Sequence, residues 1–144
     1  MLDRVTLDAS VVVSAFSPNE EAAKDSRHLL ELLLRDRVVI VVPTLIRPEI
    51  VAAIRRATGD PGKAKVFEES FSRLPGVVFQ ELDDRIADAA VEIVAGAGLR
   101  GADAVYAATA RRFEAALVTL DEEQRTRLPT GIPALYPAEA IALL

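Results

Sequence analysis

A chain of 144 residues, 51% hydrophobic and 27% charged, has the size and balance of one globular domain, 1–144, and is too apolar for a disordered segment. The absence of cysteine removes disulfides, thiolate zinc sites and cysteine nucleophiles, and fits a reducing compartment. A formal net charge of −5 argues against non-specific nucleic-acid binding through a basic surface, yet committing four acids to a metal would leave the rest nearly balanced.

Short apolar runs then alternate with longer helical patterns. Val5-Thr6-Leu7-Asp8 predicts a strand at 4–8 ending in a carboxylate. Residues 20–35 predict an amphipathic helix with Leu29, Leu30, Leu33 and Leu34 inward and Asn19 as N-cap. A strand follows at 38–42, then a helix at 48–57 with Glu49 in its first turn, broken by Gly59-Asp60-Pro61-Gly62. A helix at 62–73 precedes a strand at 77–79. The pattern of Ile86, Ala90, Ile93 and Val94 marks a helix at 82–95 that stops at Gly96-Ala97-Gly98. An alanine-rich helix at 102–113 carries Asp103 in its first turn. Ala116-Leu117-Val118-Thr119-Leu120-Asp121 predicts a strand at 116–120 that again ends in an acid, followed by a strand at 134–136 and a short helix after Pro137.

The strand runs are nearly continuous rather than alternating, as expected where helices cover both sheet faces. Strand-helix alternation with right-handed crossovers implies a parallel α/β/α sandwich. The start, Met1-Leu2-Asp3-Arg4, lacks the basic and apolar pattern of a secretory signal. The longest apolar stretch, 38–46, is too short to span a bilayer, so a soluble, cytoplasmic protein is expected.

Each of the four acids has an ordinary explanation. Asp8 and Asp121 can cap helical turns, and Glu49 and Asp103 can be first-turn acids favoured by the helix dipole. Together, however, they fall at C-terminal strand ends or in the helix turns facing them, where open α/β sheets bind ligands. Four carboxylates at one sheet edge repel one another unless a cation sits between them, and a divalent metal is the natural candidate.

The order Leu7-Asp8-Ala9-Ser10, then Pro43 with Glu49, then Gly101-Ala102-Asp103-Ala104 with its alanine-rich helix, then Leu117-Val118-Thr119-Leu120-Asp121, resembles a PIN domain, specifically the VapC-type toxins. That resemblance spans essentially the whole chain. It implies a five-stranded parallel sheet of order 3-2-1-4-5 and a Mg²⁺- or Mn²⁺-dependent ribonuclease. It further implies that Asp8, Glu49, Asp103 and Asp121 form the metal-binding catalytic quartet, with Ser10 and Thr119 supporting the first and fourth acids. The match departs after the fourth acid, where Asp121-Glu122-Glu123-Gln124-Arg125 replaces the usual ending in Asp-Phe, so Glu122 competes with Asp121 for that role. As partners the resemblance implies an RNA substrate, a small antitoxin protein and a second copy of the chain in a homodimer.

Carboxylate-held metal can activate water and stabilise the phosphorus oxygens without histidine. The one histidine, His28, falls in the leucine-rich helix and is expected at a surface or interface, which removes a Ser-His-Asp triad. Arg55-Arg56 and Arg111-Arg112 read either as phosphate contacts or as solvated helix faces. The run of leucines from Leu29 to Leu34 is wider than one buried stripe needs, so either a dimer partner or neighbouring helices cover the remainder. Two rivals stand beside the nuclease. One is a phosphoaspartyl phosphatase or receiver, against which position 10 is Ser and the third and fifth strands lack an acid and a lysine. The other is a catalytically silent PIN-like binding module.

Overall fold

The computed structural model describes all 144 residues, apart from the side chains of Glu20 and Ala22. In chain order the elements are β1 (Arg4–Leu7), α1 (Ala9–Phe16), α2 (Glu20–Arg35), β2 (Val39–Pro43), α3 (Ile46–Thr58), α4 (Pro61–Ser72), β3 (Val77–Gln80), α5 (Asp84–Ala97), α6 (Gly101–Arg112), β4 (Ala116–Val118), α7 (Glu122–Arg127), β5 (Ala134–Leu135) and α8 (Pro137–Ala142). All five strands pair in parallel, in the order β3-β2-β1-β4-β5, so the fold is the expected α/β sandwich. The sheet order also removes the receiver rival, whose doubly wound sheet runs 2-1-3-4-5.

β1 sits at the centre because Val5, Thr6 and Leu7 are all fully buried. It pairs with β2 on one side and β4 on the other, with Leu7 opposite Val118. The chain leaves β1 toward β2 on one side and returns to β4 on the other, which makes the β1–β4 junction the switch point of the sheet. The amide of Asp8 still donates to the Val118 carbonyl at 2.9 Å, so the ladder extends to the base of that crevice.

α6 crosses β1, β2 and β4 and is buried along the unbroken run Ala104 to Ala110. A helix enclosed on all sides needs small residues, which explains its alanines. α5 packs on α6, and α1 packs on β1, α2 and α3.

Two full helices fall where at most a turn was expected. α1 contains Val11-Val12-Val13, a β-branched run of poor helix propensity, but Val11 and Val12 are fully buried and packing overrides that preference. α7 follows Asp121, where a simple turn was expected; acids in its first turn and arginines in its last complement its dipole. β4 correspondingly stops at Val118 instead of residue 120, because the Thr119 hydroxyl accepts the Asp121 amide and curls the chain into α7. α3 begins at Ile46, two residues before the predicted start.

The leucine question resolves within the chain. Leu29 and Leu33 are fully buried, Leu30, Leu32 and Leu34 are half-buried, and α2 is flanked by α1 and α8. Neighbouring helices of the same chain cover that face, and the argument for a dimer through α2 is lost. Among the described residues, no helix is long and apolar enough to cross a membrane.

Candidate active site

Asp8 is the N-cap of α1, accepting the Ser10 amide at 3.0 Å on Oδ2. It is only 8% exposed. Burial pushes its carboxyl up from the usual range, with Asp103 and Asp121 adding repulsion, while hydrogen bonds from Ser10 pull it down. Glu49 stands in the first turn of α3 and accepts a hydrogen bond from the Tyr106 hydroxyl on α6. Its carboxyl is also raised, first by burial and then by the charges of Asp8 and Asp103. Asp103, in the first turn of α6, is raised by burial against a lowering hydrogen bond from Arg100. Asp121 is the N-cap of α7: its Oδ1 accepts the Gln124 amide at 3.2 Å.

The capping role and the chemical role of these acids are therefore compatible. An N-cap carboxylate uses one oxygen to hold the helix and keeps the other for the crevice. For Asp121 that free oxygen, Oδ2, lies 3.1 Å from Nη2 of Arg100. Glu122, by contrast, is exposed on α7, and Glu123 pairs with Arg127 at 2.8 Å. The geometry thus links Asp121, and not the exposed Glu122, to Asp103 through their shared Arg100.

Ser10 and Thr119 hold the two loops that carry Asp8 and Asp121. The Ser10 hydroxyl accepts the Leu120 amide at 3.1 Å, tying the β1–α1 loop to the β4–α7 loop across 110 residues. Thr119, fully buried, accepts the Asp121 amide at 3.0 Å and donates to Oε1 of Gln124 at 2.7 Å. Gln124, itself fully buried, also donates from Nε2 to the Asp103 carbonyl at 3.5 Å.

Three residues of this site escaped the sequence reading: Arg100, Tyr106 and Gln124. Tyr106 had a signal, since it lies one turn after Asp103 and is the one aromatic residue within the alanine-rich stretch 102–112. It is 1% exposed, and burial together with Glu49 pushes its phenol far above the usual range, so it remains a donor. Arg100 bridges the outer acids, with Nε 3.1 Å from Asp103 Oδ2 and Nη2 on Asp121.

The paired arginines lie elsewhere. Arg55-Arg56 and Arg111-Arg112 occupy the last turns of α3 and α6, about 9–14 Å along the helix axes from Glu49 and Asp103. Arg112 is engaged with Asp83 at 2.8 Å. His28 is on the surface, 3.8 Å from Glu31.

An all-oxygen, negatively charged and partly desolvated donor set suits a hard divalent cation. As the side chains lie, however, no three of the described acids gather closely enough to hold one ion, and Arg100 spans Asp103 and Asp121. The donor chemistry fits a metal; the outer half of the site is held by an arginine.

The PIN domain family model matches residues 5–127. Among solved structures, VapBC2 of Rickettsia felis bound to a promoter DNA fragment superposes with a TM-score of 0.70 at 17% identity, covering 92% of this chain and 98% of that one. A toxin-antitoxin complex from Klebsiella pneumoniae gives 0.67 at 15% identity, over 92% and 97% of the two chains. VapC20 of Mycobacterium tuberculosis, described as a sarcin-ricin loop cleaving toxin, gives 0.71 at 13% identity over 90% and 98%. At such identities the likeness is one of fold. No curated protein matches the chain in sequence.

Proposed function

The chain belongs to the PIN domain family, and we propose that it is a divalent-metal-dependent endoribonuclease, the toxin of a toxin-antitoxin pair. One observation carries this: four acids from four segments lie near enough to one another around the β1–β4 switch point to repel, and burial and that repulsion raise three of them. Such an arrangement is unfavourable for the fold alone and calls for a cation. Mg²⁺ or Mn²⁺ bound there would neutralise charge on the phosphorus oxygens and acidify a bound water.

Asp8, Glu49, Asp103 and Asp121 would hold the metal. Ser10 and Thr119 keep the loops of Asp8 and Asp121 in register, and Tyr106 orients the Glu49 carboxylate through Oε1. Single-stranded or looped RNA is the substrate class, since unstacked bases let the backbone enter a narrow crevice. The solved relatives named as toxin-antitoxin assemblies support an antitoxin partner. An arginine from that partner would match the carboxylate geometry and displace metal.

The proposal includes a homodimer, through a surface other than the leucine face of α2. The surface we propose for it is the apolar groove of about 580 Å³ lined by Leu82, Val91 and Val94 of α5 and its approach, and by Gly101 and Val105 of α6. Val91 is 63% exposed there. Light scattering of the wild type and Val91→Asp checks it: a dimer that Val91→Asp breaks is expected.

The function is tested by incubating the purified chain with labelled single-stranded RNA and Mn²⁺ or Mg²⁺. Cleavage that chelation abolishes and Asp8→Asn removes is expected. RNA binding without cleavage under any metal would instead identify the silent module, and hydrolysis of small phosphomonoesters alone would identify the phosphatase.

A further inference from the structure

Arg100 is an unfavourable choice for its place in the chain. It occupies the N-cap of α6 without a side-chain capping bond, a position that favours Ser, Thr, Asp or Asn. A cation there also faces the positive end of the helix dipole. Gly98, at φ +71°, ends α5 in the left-handed region, and buried Leu99 fixes the next step, so the backbone presents Arg100 at the mouth of the site.

Something must offset these local penalties, and two carboxylates lie within reach. The Arg100 side chain is 73% exposed, yet it contacts Oδ2 of both Asp103 and Asp121 at 3.1 Å. Four other arginines are engaged elsewhere: Arg47 with Glu68, Arg112 with Asp83, Arg125 with Glu139 and Arg127 with Glu123. Among the described ion pairs, only those of Arg100 reach the four acids.

We propose that Arg100 is a tethered counter-ion that competes with the divalent metal for Asp103 and Asp121, so that the metal loads as the guanidinium swings out. The inference rests on the metal-site assignment above and adds a resident competitor to it. Both oxygens that Arg100 engages belong to acids a metal would need. Two cations cannot share them without repulsion, so each raises the free energy of the other. Exposure to solvent gives the displaced guanidinium room to leave, and Glu123 on the adjoining turn of α7 already attracts it.

The test is Mn²⁺ affinity, measured by electron paramagnetic resonance or calorimetry without RNA, for the wild type, Arg100→Gln, Arg100→Lys and Asp8→Asn. Arg100→Gln should bind Mn²⁺ about tenfold more tightly, within the usual range of coupling between two ligands. It should also melt at a lower temperature than wild type when metal-free, having lost the counter-ion. Arg100→Lys, which keeps the charge but not the two-pronged contact, should fall between. Unchanged or weaker Mn²⁺ binding by Arg100→Gln, with Asp8→Asn still abolishing it, overturns the role of Arg100 and leaves the metal site standing. Mn²⁺ binding that Asp8→Asn does not affect, or none in any variant, overturns the metal site and this inference with it.

Discussion

The acidic site has two halves built on different physics. In the inner half, Asp8 and Glu49 are held by neutral donors, the Ser10 amide and the Tyr106 hydroxyl, and neither forms an ion pair among the described residues. In the outer half, Asp103 and Asp121 share a guanidinium. Neutral donors orient a carboxylate without cancelling its charge, so the inner half keeps its demand for a cation. The outer half has that demand met in part. A site divided in this way leaves Asp8, its most buried acid, without a cationic partner, where solvent screens its charge least.

Substituting the inner and outer acids in turn gives the sharpest test. Asp8→Asn keeps the helix cap and the shape but removes the most buried charge. RNA cleavage should fall by at least about 10³-fold, the scale of losing several kcal/mol of charge stabilisation. Asp121→Asn should cost less, about 10–100-fold, because this acid contributes from the more exposed edge. Equal losses in both, measured under the same metal concentration, would break the division.

Tyr106→Phe examines the neutral scaffold of the inner half. The buried ring stays and only the hydrogen bond to Glu49 goes, so metal affinity or cleavage should drop about 10-fold, at the lower end for such supporting contacts. A titration with Mn²⁺ separates that from a folding defect. In the outer half the corresponding support is Gln124. Gln124→Ala leaves the buried Thr119 hydroxyl without its acceptor and removes the link to the Asp103 carbonyl, and stability should fall by about 1–3 kcal/mol in a denaturant melt.

The smallest expected effect concerns pH. Asp8 binds a proton more tightly in the folded state than in the unfolded chain, since its carboxyl is raised above 3.8 mainly by burial. Its contribution to metal-free stability is therefore greatest below that value and is lost as pH rises through the raised one. Asp36 and Asp83, lowered by Arg35 and Arg112, act in the opposite sense, so the whole-protein curve mixes both. The difference between wild type and Asp8→Asn isolates the site. Asp8→Asn should gain in relative melting temperature from pH 4 to pH 7 without metal, and a flat difference would count against a strained inner half.

Much of this arrangement was legible in the residues alone. The strands at 4–8, 38–42, 77–79 and 116–120 announced themselves as continuous apolar runs, and the sheet order followed once the motifs resembled a PIN domain. That Asp8, Glu49, Asp103 and Asp121 stand at strand ends and in first turns was readable from a few neighbouring residues, because these are local features. Tertiary packing decided the rest. The valine run 11–13 became helix because the core demanded it, and the leucines of α2 were covered by α1 and α8. Arg100 reaches Asp121 across 21 residues, Tyr106 reaches Glu49 across 57, and Ser10 ties to Leu120 across 110. No periodicity encodes such contacts, because they depend on where the sheet places segments distant in the chain. The sequence by itself determined which acids stand at the edge of the sheet; only the folded chain decided which are buried without a counter-ion and which share an arginine, since that depends on the distances between them.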